Sequence, residues 1–152
     1  MPNWCEGILK VRGTQENIRA FCENELLGDG EKKETTIEFD EYDFTLYNPS
    51  SYLWIQGTRR HFIELEDKYV GAMCNNDDIY TIMLPFQAAW CINAEQLQPL
   101  SEKYHIDFRI KGYECGIGFT QEIEILDGEI TLNEEQNYDD YAWECEQPEL
   151  GG

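Results

Sequence analysis

Basic residues are scarce in this chain. Eleven Lys and Arg stand against thirty-one Asp and Glu, a formal net charge of −20 with a pI near 4.2. DNA, RNA and anionic membranes are held by a cationic footprint, so this shortage argues against direct binding to any of them. It favours a basic partner, approached quickly and in a salt-sensitive way. No apolar run approaches the ~20 residues that a membrane span needs. Residues 1–7 carry no basic stretch followed by an apolar one, so no secretory leader is expected and the expected compartment is the cytoplasm.

The signatures of common catalytic and metal sites are also missing. There is no Gly-rich phosphate loop with Lys, no His-Glu-x-x-His and no nucleophile elbow. Cys5, Cys22, Cys74, Cys91, Cys115 and Cys145 are scattered singly, without a Cys-x-x-Cys pair. In a cytosolic chain they are expected as reduced, mostly buried thiols. A zinc site gathered from distant cysteines with His61 or His105 stays open as the alternative, since tetrahedral ligands can come from separate strands. His105 falls at the end of an expected helix, where a histidine is favoured electrostatically. Gly112, Gly116 and Gly118 precede no helix, so a phosphate cradle is excluded and a strand turn or bulge expected. Glu114 is a lone carboxylate. No catalytic residue is assigned; an enzyme using Glu114 or a cysteine nucleophile is the remaining option of that class.

What is present suffices for one compact domain over residues 1–152. Seven Phe, nine Tyr and four Trp supply large side chains to bury, so a cofactor is not needed for stability. Residues 4–11 read as a strand with Trp4, Ile8 and Val11 as core. Thr14 starts a helix whose Ile18, Phe21, Cys22 and Leu26 fall on one face, and Gly28-Asp29-Gly30 ends it. Residues 35–47, 52–57 and 62–70 read as extended. Residues 72–74 and 79–86 read as a hairpin around a four-residue turn, 75–78. Asn93 caps a second helix over 94–104, with Leu97 and Leu100 inward. Residues 107–111 and 116–126 return to strand, and Asp127-Gly128 is a two-residue hairpin turn into 129–132. The fold class expected is α+β and ferredoxin-like: a mostly antiparallel sheet with two helices packed on one face.

Two stretches carry a resemblance. Residues 2–13 (PNWCEGILKVRG) resemble the start of the YubB-type proteins of plasmids and phages, which have a ferredoxin-like domain. The stronger likeness is Phe86-Gln87-Ala88-Ala89-Trp90, a helix ending at Glu102-Lys103-Tyr104, then Phe108-Arg109-Ile110 and Tyr113-Glu114-Cys115-Gly116-Ile117-Gly118-Phe119. The family shows an aromatic-x-Ala-Trp, a helix ending in Lys-Tyr and a Tyr-x-Glu-x-Gly-x-Gly-Phe-like strand pair in that order. The chain departs from it at Gly7, where Asn is frequent, and at Cys91-Ile92-Asn93, which replaces a Ser-Pro-Pro-like helix start. Gly71-Ala72-Met73-Cys74 stands where the family is tryptophan-rich. The resemblance implies a ferredoxin-like fold and a mobile-element origin; fold alone assigns no biochemistry.

The acids concentrate at the end. After Lys111 there is no Lys or Arg, while residues 112–152 hold twelve Asp or Glu, and 133–152 read as an acidic segment. The candidate contact residues are Glu122, Glu124, Asp127, Glu129, Glu134, Glu135, Asp139 and Asp140, with Tyr138, Tyr141 and Trp143 as anchors, because Tyr and Trp are preferred at interfaces. Twenty charges correspond to roughly 34 Å of duplex DNA, and a globule of this size is about 40 Å across. With the mobile-element resemblance, this leads to an expectation of a phage counter-defence, anti-CRISPR-like inhibitor. It would bind a basic, nucleic-acid-handling partner such as an RNA-guided nuclease, stoichiometrically, and block DNA loading or cleavage.

Overall fold

The structure, a computed structural model, describes residues 1–40, 44–65, 69–70, 72–74 and 78–152. In chain order the elements are β1 (Trp4–Gly13), α1 (Gln15–Glu25), β2 (Leu26–Leu27), a 3₁₀ turn (Asp29–Glu31), β3 (Thr36–Phe39), β4 (Phe44–Tyr47), β5 (Tyr52–Ile55) and β6 (His61–Glu64). They continue with β7 (Tyr69–Val70), β8 (Ala72–Cys74), β9 (Tyr80–Ala89), α2 (Ala94–Tyr104), β10 (Asp107–Glu114), β11 (Phe119–Leu126), β12 (Glu129–Asn137) and α3 (Tyr141–Glu144).

The strands form one nine-stranded sheet in the order β12-β11-β10-β1-β9-β6-β5-β2, with β8 pairing β9, and a separate sheet β3-β4-β7. All pairings among the described residues are antiparallel. At the centre β10-β1-β9-β6 carry α1 between β1 and β6 in the chain and α2 between β9 and β10, which is the split βαβ order of a ferredoxin-like core. The chain between α1 and β6 adds β2, β5 and the small sheet's β3 and β4; β11 and β12 widen the other side. The fold is therefore ferredoxin-like as expected, but dominated by strand.

Alternation assigns the two faces of the large sheet. Leu9, Val11, Ile82, Leu84, Phe108, Ile110, Ile123 and Ile125 are buried on one, together with Ile18, Phe21 and Cys22 of α1 and Leu97, Leu100 and Tyr104 of α2. Phe21 lies edge-on to Phe108 at 5.3 Å and to Tyr104 at 6.0 Å. Burying each such side chain contributes about 1.5–3 kcal/mol. The other face is open and carries Ile8, Lys10, Arg12, Arg109, Lys111, Glu122 and Glu124.

Local chemistry sets the element ends. The Thr14 hydroxyl oxygen accepts from the Asn17 amide at 3.2 Å, and the Asn93 side chain accepts from the Gln96 amide at 3.3 Å, each satisfying a donor at a helix start. His105 closes α2 in the left-handed conformation at φ 52°. Asp127 and Gly128, at φ 42° and 85°, make the expected tight hairpin turn.

Several boundaries differ from the sequence reading. Leu26 leaves the helix and begins β2, paired with Ile55. Within 35–47, read as extended, the described residues make two strands, β3 and β4, paired with each other. Within 62–70, residues 62–64 belong to the large sheet through β6 and 69–70 to the small one through β7. The turn expected at 75–78 falls mostly outside the described residues. β12 runs to Asn137 instead of stopping at Leu132, because β11 offers partners as far as Phe119. Polar composition hides an edge strand whose residues are nearly all exposed. Ile8, expected in the core, is exposed on the open face, while its neighbours Leu9 and Val11 are buried.

Candidate protein-binding surface

The expected contact residues do not form one uniform patch. Glu122 and Glu124 lie on the open face, opposite Lys111 and Arg109 in the β10–β11 register. Lys111 Nζ stands 3.4 Å from Glu122 Oε1, and Arg109 donates to Glu124 Oε2. The Thr131 hydroxyl donates to Glu124 Oε1 at 2.8 Å, and it and Arg109 hold the Glu124 carboxyl below its ordinary range. These two charges are largely answered within the sheet. Asp127, at the hairpin tip, pairs with His105 Nδ1 at 3.0 Å.

Glu129, Glu134, Glu135, Asp139, Asp140 and Glu144 are exposed and, among the described residues, have no Lys, Arg or His at ion-pair distance. They line β12 and the short helix after it. Glu134 lies opposite Glu122 on the open face and Glu135 opposite Gln121 on the helix side. Asp140 also caps α3, its carboxylate accepting from the Trp143 amide at 3.4 Å.

Of the three anchors only Trp143 is free, at 86% exposure. Tyr138 is half-buried, its hydroxyl 3.0 Å from Thr120 Oγ1 and its ring edge-on to Tyr141 at 5.4 Å. Tyr141 packs beside Gly118, and burial and the Cys145 thiol push its phenol upward in pKa. The two tyrosines fasten the segment to the sheet.

The end of the acidic segment is docked as well. Glu146 Oε1 accepts from the Lys111 ammonium at 2.5 Å and from the Tyr113 hydroxyl at 2.7 Å. Lys111 and Tyr113 hold the Glu146 carboxyl low, Glu146 in turn raises Lys111, and burial with Glu146 carries Tyr113 up to about 12. Gly152 donates to the Trp4 carbonyl at 2.8 Å, and Gly151 to Glu6 Oε2 at 3.2 Å. Gln147 and Leu150 border two grooves on the open face, of about 260 and 340 Å³, each floored by Gly7 and Ile8. Nothing in the spacing of these residues announces the docking; it depends on β1 and β10 lying side by side.

Of the residues considered for catalysis or metal, Glu114, His61, Cys5 and Cys22 are occupied structurally, whereas the Cys91 thiol is exposed and Cys115 half-buried. Glu114 is fully buried, and its oxygens accept from the amides of Gly116 at 2.6 Å and Ile117 at 2.8 Å, closing the turn into β11. Buried His61 has Nδ1 at 2.9 Å from the Arg59 carbonyl and accepts from the Asn93 amide through Nε2, also at 2.9 Å. It ties β6 to the cap of α2. Burial raises the Cys5 and Cys22 thiols well above their ordinary pKa, away from thiolate chemistry. Among the described residues no group of three or more His, Cys, Asp or Glu is placed to hold a metal. Buried Gln121, which the sequence did not flag, accepts from the Ile92 amide at 2.7 Å and positions the chain before α2.

The fold and this surface define an acidic ferredoxin-like domain built around a widened antiparallel sheet. The chain belongs to the family of ferredoxin-like domains in Api92-like proteins, whose model matches residues 68–149, more than half of its length. No curated protein and no solved structure matches it. The matched stretch takes in β9, α2, β10, β11 and β12, and with them the exposed acids of β12 and α3. Among the described residues no helix is long and apolar enough to cross a membrane.

Proposed function

We propose that this is a binding domain without catalytic activity, which docks through the β12–α3 edge on a basic surface of a nucleic-acid-handling protein. In its finer form the reading is a phage counter-defence inhibitor: the domain occupies the cationic channel of an RNA-guided nuclease, one to one, in the cytoplasm of the host, and keeps target DNA out. The observation that carries it is the row of acids without cationic partners among the described residues, Glu129, Glu134, Glu135, Asp139 and Asp140, ending beside the exposed Trp143. The structural employment of Glu114, His61, Cys5 and Cys22 supports the non-catalytic side of the reading.

The test is target-DNA binding by a guide-loaded nuclease, with and without the protein, at two salt concentrations. Inhibition that weakens with salt is the expected result, as is its loss when Glu134, Glu135, Asp139 and Asp140 are changed together to Lys. Inhibition untouched by that charge reversal rejects the edge as the contact; no effect on any of several such nucleases rejects the nuclease as the partner.

A further inference from the structure

The outer side of β12 leads to a more specific partner, and this step rests on the acidic-edge reading above. β12 is the last strand at its end of the nine-stranded sheet, and among the described residues none pairs with its far side. It is nine residues long, whereas the strand at the opposite end, β2, has two. An edge strand turns the N–H and C=O of every second residue outward, which makes it a template for a further strand. Proteins commonly block such edges with charged side chains, Lys above all, with Pro or with a bulge; the charges here, Glu134 and Glu135, repel an acidic strand and leave a basic one as the match. Here the irregularity lies near the start of the strand, between Glu124 and Ile125 of its neighbour. Over 132–137 the pairing with β11 is continuous, and that run contains no Pro, Lys or Gly.

The charges along one cross-strand row say which strand would fit. On the open face Ile8, Lys111, Glu122 and Glu134 stand in register on β1, β10, β11 and β12. Lys111 serves Glu122 and Glu146, so Glu134 faces a carboxylate inward and has no cation at ion-pair distance among the described residues. Like charges directly opposite each other are unfavourable, and a cation on the outer side would relieve the pair. Glu135, on the helix side, likewise lacks a cationic partner among the described residues. A second copy of this edge would bring more acids and be repelled. A strand with two successive basic residues would set one against each carboxylate, because successive side chains alternate between faces.

We propose that β12 accepts, by strand addition along 132–137, an extended segment of its partner in which two successive Lys or Arg residues lie against Glu134 and Glu135. Two synthetic peptides of about ten residues test this with the full chain at low ionic strength. Both carry a central Lys-Arg pair and equal charge; one is otherwise built from Val and Thr, the other has Pro at every second flanking position. The Val/Thr peptide is expected to bind roughly tenfold more tightly, and to slow amide exchange at alternate residues of 132–137. Glu134→Lys with Glu135→Lys, both at exposed positions, should lose that binding while exchange in the core stays unchanged. Equal binding of the two peptides without new protection on β12 overturns strand addition and leaves electrostatic docking standing. Binding of neither also overturns it, and the nuclease experiment then decides the docking reading by itself.

Discussion

His61 is held at the start of α2 as an acceptor, and that role depends on its staying neutral. Protonated imidazole cannot accept the Asn93 amide, and burial lowers the folded-state pKa below the ordinary 6.5. Above that value neither state binds the proton and the stabilisation is complete. As pH falls below it the unfolded chain takes up a proton that the folded chain resists, so stability declines towards the lower folded pKa. Denaturant unfolding of His61→Gln, compared with the parent from about pH 7.5 to about pH 5, should show a shallower decline. An unchanged slope would remove His61 as the source. Glu146 has a similar sign at lower pH: its depressed folded pKa makes its contribution complete above the ordinary 4.5 and lost as pH falls through the folded value. It is exposed, so Glu146→Gln should leave global stability nearly unchanged and speed amide exchange over 146–152.

At the scale of elements, β1 and β10 approach so closely that two glycines face each other across the pair, Gly7 opposite Gly112. A Cβ on Gly7 would stand 2.0 Å from the Lys111 carbonyl oxygen, which is backbone and cannot step aside alone. On Gly112 it would meet Cys5 Sγ and Ile92 Cδ1 at 2.6 Å, side chains with some freedom to shift. Gly7→Ala is therefore expected to cost more than Gly112→Ala, each in the range of about 1–3 kcal/mol or above for overpacking. Thermal unfolding of the two variants checks the order. The elements themselves were readable where local signals were complete. Thr14 and Asn93 with the apolar spacing behind them placed both helices, and Asp127-Gly128 placed a hairpin. The split of 35–47 into two strands was not readable, because alternation over that stretch is compatible with one long strand as well as two paired ones.

For the whole molecule, a net charge of −20 acts on folding and on binding with opposite salt dependence. Self-repulsion destabilises the compact state, and the screening length falls to about 10 Å at 0.1 M salt. Added sodium chloride is thus expected to raise the melting temperature while weakening attachment to a basic partner. A melting temperature that falls with salt would mean that ion pairs such as Arg12–Asp107 and Lys111–Glu146 outweigh the repulsion. The acids also divide by location: Glu122, Glu124 and Glu146 meet the cations of β10, whereas those of β12 and residues 139–144 lie past the last basic strand.

Composition and local pattern determined the sign of the charge, the helices with their caps and the tight turn before β12, because each depends on residues close together in the chain; the order of strands and helices along it pointed to the ferredoxin-like class. Which of the acids stay free was decided by strand order. Glu122 and Glu134 look alike as residues, yet only one of them is placed next to Lys111. The same applies to Glu146, drawn from the acidic segment onto β10, and to Tyr138 and Tyr141, which pack inward while Trp143 remains outside. Electrostatic and packing partners come from strands far apart in sequence, and their pairing exists only once the sheet has formed.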